Sequence, residues 1–245
     1  MLQSQCVTHH SFATPPSLAT RLSLLLRKVI APEPCLLCGQ GLLAVCPACR
    51  ALLSGDVLWS QLGHTPLCIS SVGHANVMTL LRAFKDDQRV ALAADLAEVL
   101  REPLIAALEG FPAVDGVLVV PTRPHAWRAR GYHPTKVILR GVGIAPLGVI
   151  SRERRWNDQR GLSVAERRNN LRGAFRAHPS VRGRTFVLVD DVVTSGATAL
   201  EVIRAVREAG GHVVCVVALS RVTLSRSSVN WAPVALSNTP IKLHG

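Results

Sequence analysis

The sequence predicts an α/β domain on a parallel sheet, preceded by a small N-terminal four-cysteine zinc module, and three observations carry that expectation. Short apolar runs at residues 117–120, 147–151, 186–189 and 213–219 alternate with stretches of helical periodicity. Strand–helix–strand order of this kind gives a parallel sheet covered on both faces. Two CxxC pairs stand ahead of these runs, and apolar residues make up 48% of the 245-residue chain, enough for one domain of ordinary size with a small appendage.

Residues 1–31 read as a leader. The first 17, rich in Ser, Thr, His and Pro, are expected to be disordered. Residues 18–30 read as a short amphipathic helix, because Arg21, Arg27 and Lys28 interrupt the apolar run and no basic residue precedes it. No apolar run reaches the roughly 18 residues of a membrane span. Residues 32–60 form the expected zinc module. In Cys35-Leu-Leu-Cys38-Gly39 and Cys46-Pro-Ala-Cys49, each two-residue gap lets both thiolates turn toward one ion. Four thiolates close a tetrahedral Zn²⁺ site and leave no position for catalysis. Two redox-active pairs are the competing reading. Paired thiols without an export signal point to a reducing cytoplasm. Cys6, Cys68 and Cys215 have no companion at ligand spacing, and Cys215 reads as a small packed hydrophobe.

Residues 61–232 form the main expected domain and 233–245 a C-terminal tail. From residue 77 to 108 apolar side chains recur at helical spacing, among them Leu92, Leu96, Val99 and Leu100. Pro103 is expected to start or kink a helix. Arg82 and Lys85 fall on the polar side of the first helical segment and read as solvated charges. Strands follow at 117–120 and 147–151, with a helix between them at about 125–140. After residue 152 comes a polar, Arg-rich segment to 170, expected to be a mobile loop. A third strand at 186–189, a helix from Ala197 to Ala209 ended by Gly210-Gly211, and a fourth strand at 213–219 complete the domain.

Charge narrows the ligands. Of 28 Lys and Arg residues, 15 lie between Pro121 and Arg184, where only Glu153, Asp158 and Glu166 are acidic. Such a field attracts nucleic acid or a phosphate-rich small molecule. The sharpest signal lies in FVLVDDVVTSGAT, residues 186–198. An apolar strand delivers Asp190 and Asp191 to the carboxyl edge of the sheet, where ligands of parallel sheets bind. Ionised carboxylates only accept hydrogen bonds, which suits the paired hydroxyls of a ribose. Thr194, Ser195, Gly196, Ala197 and Thr198 then lead into a helix whose unpaired amides suit a phosphate. Together these describe a ribose 5-phosphate. A nucleotide-hydrolase metal site would need a Gly-Lys step, and the chain contains none. A simple helix cap would account for one or two of these polar residues.

The segment resembles the phosphoribosyl pyrophosphate (PRPP) motif of type I phosphoribosyltransferases. The CxxC pairs, Leu81-Arg-Ala-Phe-Lys85, Val120-Pro121, Arg128-Ala-Arg-Gly131-Tyr132, Gln159-x-x-Leu162, Arg167-x-x-Asn170 and Ala174-Phe175 occur in the order seen in the competence protein F (ComF) family. The likeness runs over about residues 32–221. It implies a phosphoribosyltransferase-like fold, PRPP binding with Mg²⁺ held largely by the pyrophosphate, and a link with DNA uptake. Many relatives carry Asn and Gln where this chain has His133-Pro134-Thr135.

On that resemblance, Asp190 and Asp191 are the candidate catalytic pair. Pro121, Thr122 and Arg123 form the candidate pyrophosphate loop, and residues 152–170 the lid. A basic surface would include Arg128, Arg130, Arg154, Arg155 and Arg160, with Trp127, Tyr132 and Trp156 as stacking surfaces. Three functions follow as expectations: phosphoribosyl transfer from PRPP to an acceptor, a DNA-uptake factor that binds single-stranded DNA with PRPP as ligand, and a PRPP-sensing regulator without chemistry.

Overall fold

A computed structural model describes residues 34–111, 113–153 and 171–222. The expected leader, the tail, and the segment 154–170 lie outside the described residues. The chain divides into two units, Met1–Cys46 and Pro47–Gly245. The second unit opens with α1 (Pro47–Ala51), the hairpin β1 (Val57–Leu62) and β2 (Thr65–Ser70), then α2 (His74–Lys85). A 3₁₀ turn and α3 (Ala93–Gly110) lead to β3 (Gly116–Val119), α4 (Pro124–Arg130) and α5 (Pro134–Gly141). The short strands β4 (Ile150–Arg152) and β5 (Phe175–Ala177) follow, then β6 (Thr185–Val193), α6 (Ala197–Glu208) and β7 (His212–Arg221).

The main sheet runs β1-β2-β7-β6-β3. β2, β7, β6 and β3 are parallel to their neighbours and only β1 is antiparallel. The α/β class with a mostly parallel sheet is as the sequence predicts. Its central strands are apolar on both faces because helices cover both: Phe186, Val187, Leu188 and Val189 are fully buried. Phe186 and Leu188 belong to the core with Val202, Ala205 and Val206 of α6. α2, α3 and α5 pack against the sheet as well, α3 burying Leu96, Val99, Leu100 and Leu104 at helical spacing.

Four local differences from the sequence reading have physical causes. The expected helix at 125–140 is two helices, because Gly131 takes a left-handed φ of 77° and caps α4. Pro103 does not start a helix but lies inside α3, and its carbonyl accepts from Cys68 Sγ–H at 3.2 Å. The run at 147–151 contributes a single bridge, Leu147 to Leu118, and then pairs as β4 with β5. The β1–β2 hairpin, unread in the sequence, is closed by Gly63-His64 with Gly63 at φ 63°. It takes Val57 to Ser60, assigned by sequence to the zinc module, into the main sheet.

Candidate functional site

β6 carries the acidic pair and runs further than expected. It pairs with β3 only as far as Val189, opposite Val119, but with β7 through Asp190, Val192 and Val193. Asp190 and Asp191 therefore stand just past the end of β3, beside the segment that leaves it. That segment is the Pro121-Thr122-Arg123 loop. Alternation along the strand sends the two carboxylates to opposite faces. Asp190 shares the face of Phe186 and Leu188, toward α6, and Asp191 shares that of Val187 and Val189.

The two environments differ. Burial first, and then the adjacent Asp191 charge, push Asp190 up to about 7, against the pull of the Asp191 amide, which donates to Asp190 Oδ1 at 2.9 Å, and of Lys85. Asp191 Oδ2 meets Lys85 Nζ at 2.5 Å, with both side chains about four-fifths covered. The sequence placed Lys85 among solvated charges; instead the end of α2 carries it across to the acidic pair.

Beyond β6, Gly196 sits at the N-cap of α6 with φ 72° and no side chain to cap the helix. Ala197 N donates to Ser195 Oγ at 3.4 Å. A Cβ on Gly196 would lie 2.0 Å from Leu62 Cδ1, so the hairpin presses directly on this turn. Thr194 is exposed, Ser195 and Thr198 are half-buried, and Gly196 and Ala197 are buried.

Two side chains brace the loop after β3. His133 Nε2 accepts from the Thr122 amide at 3.2 Å. Burial, and next the charge of Lys136, hold this imidazole down to about 4, so it is neutral and able to accept. Arg152 donates from Nη2 to the Pro121 carbonyl at 3.0 Å and lies 5.1 Å over the Phe175 ring. Burial, then the charge of Arg123, lower Arg152 to about 10. Arg123 and Arg128 are exposed, whereas Arg130 is committed to Lys85 and Asp86. Arg154, Arg155 and Arg160 lie outside the described residues. Lys85 and His133 were missed as site residues; the only sequence signals were the Leu-Arg-Ala-Phe-Lys85 motif itself and the departure at His133.

The four cysteines meet as their spacing predicts. The Sγ atoms of Cys35, Cys38, Cys46 and Cys49 lie within 4.8 Å of one another and could hold a metal ion. Cys38 and Cys46 Sγ are 3.7 Å apart, close to the edge of about 3.8 Å that a tetrahedron with metal–sulfur bonds of about 2.3 Å requires. Burial raises the Cys35 thiol, but the amides of Cys46, Cys38 and Leu37 outweigh it and bring the thiol down to about 6. The Cys46 amide donates to Cys35 Sγ at 3.4 Å. Cys35 is thereby biased toward the thiolate that metal binding needs.

A parallel sheet with an acidic pair at its carboxyl edge, followed by a glycine-opened helix start, is the framework of a phosphoribosyl transferase domain. The sequence profile of that domain matches residues 129–231. The chain is 34% identical over 151 residues to the DNA utilization protein YhgH of Salmonella typhi, covering 58% of this chain and 66% of that relative. It is 35% identical over 103 residues to competence protein F of Haemophilus influenzae, covering 39% and 44%. An orotate phosphoribosyltransferase of Levilactobacillus brevis is 29% identical over 121 residues, covering 44% and 52%. The chain thus carries a phosphoribosyl transferase domain and is similar to DNA utilization protein YhgH and competence protein F. It aligns over just under two thirds of the YhgH relatives' length. No helix of the described residues is long and apolar enough to cross a membrane.

Proposed function

We propose that this protein binds PRPP and transfers its phosphoribosyl group to an acceptor, releasing pyrophosphate. The single observation that carries this reading is the juxtaposition of Asp190 and Asp191 with the Thr122 loop on one side and the α6 N-terminus on the other. The helix start and the Thr194–Thr198 hydroxyls would hold the 5-phosphate, the Asp pair the ribose hydroxyls, and the Pro121–Arg123 loop the pyrophosphate. In the reaction the bond from C1 to the pyrophosphate oxygen breaks, and the pyrophosphate leaves with the electron pair. The acceptor's lone pair forms the new bond to C1, and the acceptor's proton goes to solvent or a nearby base. The Asp carboxylates would steady the positive charge that develops on the sugar. Hard carboxylate oxygens at Asp190 and Asp191 fit Mg²⁺, which would neutralise leaving-group charge when bound with PRPP. His133 and Arg152 keep the loop in place from both sides.

Calorimetric titration with PRPP and Mg²⁺ tests binding, and an acceptor screen that follows pyrophosphate tests chemistry. No heat at all sinks the reading; binding without turnover under every acceptor leaves the sensing role.

A second reading, single-stranded DNA binding beside the same site, is favoured by α4. That helix buries none of its residues, and Trp127 is 53% exposed, with Arg123 and Arg128 exposed next to it. An exposed indole among arginines is a stacking platform for unpaired bases. The names of the relatives, DNA utilization protein and competence protein F, agree with it. Affinity for a labelled oligonucleotide should fall with salt, by a log–log slope of about 0.7 per phosphate contact. Trp127→Ala should weaken binding at every salt concentration, and Arg128→Glu should lower the slope as well. Anisotropy measurements in which wild type fails to bind at low salt would remove this reading.

The cysteine cluster is proposed to hold one structural Zn²⁺, since four thiolates leave no open position. Protein purified under reducing conditions without chelator should contain one zinc per chain, and chelation should loosen the N-terminal module while PRPP binding largely survives. Metal analysis that returns no zinc overturns this assignment.

A further inference from the structure

We propose that Lys85 is a ligand-exchange residue: it neutralises Asp191 while the site is empty and passes to the pyrophosphate when PRPP arrives, with Arg130 and Tyr132 as the clamp that positions it. This rests on the PRPP reading above and names a residue that reading does not contain. The contact itself is direct, Lys85 Nζ to Asp191 Oδ2 at 2.5 Å. A ribose hydroxyl that hydrogen-bonds Asp191 must share or take over an acceptor the ammonium already uses. Lysine is suited to yield it, being a compact charge on a flexible four-carbon stem.

The ammonium meets Asp191, the carboxylate whose charge is felt by His133 beside the proposed pyrophosphate loop. Asp191 occupies the strand face opposite the α6 core, and its charge acts on His133, whose ring holds the Thr122 amide. A pyrophosphate seated on the Thr122 loop would carry more negative charge than one carboxylate and so offer the ammonium a stronger partner.

The clamp joins two stretches that are distant in sequence. α2 ends at Lys85, and the last carbonyls of a helix have no partner within it. Arg130 Nε donates to the Lys85 carbonyl at 2.8 Å, Arg130 Nη2 to Asp86 Oδ1 at 3.3 Å, and Tyr132 Oη–H to the Phe84 carbonyl. The Phe84 and Tyr132 rings pack with centroids 5.3 Å apart. Gly131, at φ 77°, turns the chain so that its two neighbours reach successive carbonyls. The Arg-Gly-Tyr step thus sets where the α2 terminus, and Lys85 on it, stands relative to β6.

The test titrates pyrophosphate and ribose 5-phosphate separately, each with Mg²⁺, into wild type, Lys85→Gln, Lys85→Arg, Tyr132→Phe and the Lys85→Gln/Tyr132→Phe double variant. Lys85→Gln should weaken pyrophosphate by about tenfold or more, the scale of one charge-assisted hydrogen bond, and leave ribose 5-phosphate unchanged or tighter. Lys85→Arg, which keeps the charge, should retain most of the pyrophosphate affinity. Tyr132→Phe should weaken pyrophosphate in wild type and add nothing once Lys85 is gone, which a purely structural role would not do. Unchanged pyrophosphate affinity in Lys85→Gln, or equal loss of both ligands, overturns the proposal while PRPP binding stands. A wild type that takes neither ligand overturns the PRPP reading and this inference together.

Discussion

Replacing Asp190 and Asp191 together by Ala is expected to remove measurable PRPP binding from a protein that still folds. Each carboxylate would contribute charge-assisted hydrogen bonds of about 1.5–3 kcal/mol, so losing both should cost about a hundredfold or more in affinity. The single Asp191→Ala variant should lose about tenfold or more on the same scale. Asp190 adds a second, opposite signature. Its folded pKa is raised from 3.8 to about 7 by burial and by Asp191, so ionising it works against folding. That cost is absent below the unfolded value, grows as pH rises from one value to the other, and is complete above the folded one. Asp190→Asn should therefore raise the Tm at pH 8 by more than at pH 5, while PRPP affinity falls. Stability held in reserve at one position and released by a substitution that damages binding is the mark of a site group. Thermal melts paired with calorimetry read both effects, and undiminished PRPP affinity in the Asp190/Asp191 double Ala variant would remove the pair from the site.

Gly196→Ala should be the most destabilising single substitution at the phosphate loop. Two costs add. An L-residue at φ 72° is disfavoured by about 1–2 kcal/mol, and a Cβ placed 2.0 Å from Leu62 Cδ1 forces a shift of the hairpin or the loop, with overpacking typically costing about 1–3 kcal/mol. The expected loss of about 2–5 kcal/mol should appear as a Tm several degrees lower and weaker binding of any 5-phosphate ligand. Leu62→Ala separates the terms. It should destabilise the wild-type chain, because Leu62 is buried, yet cost much less in the Gly196→Ala background. Additive costs in that double-mutant cycle would mean that the hairpin does not press on the turn.

Much of this was legible because it is local. Phe186 to Thr198 is contiguous, and a strand, two carboxylates, and three hydroxyls set around a glycine lie within one stretch of chain. The same holds for the cysteines, where two-residue gaps and a short spacer leave the thiols few arrangements other than convergence. The α6 terminus was likewise readable, since Gly210 takes the left-handed conformation, φ 82°, that its position after the helix demands. The hairpin escaped because β1 is partly covered along most of its length rather than alternating, so it lacks the period-two pattern of a strand with one wet face.

By itself, then, the amino-acid order determined the class of sheet, the acidic pair ahead of a glycine-opened helix start, and the convergence of four thiols that could hold a metal, because each depends on residues near in sequence. Tertiary structure alone decided that Lys85 faces Asp191, that His133 and Arg152 brace the Thr122 loop, and that Leu62 makes a glycine necessary at position 196. Each of these unites groups from separate stretches of the chain. Their chemistry is ordinary in isolation: a lysine on the polar side of a helix has no local signal separating a solvated charge from an ion pair. Only the tertiary placement of the α2 C-terminus beside Asp191 brings the ammonium to the carboxylate.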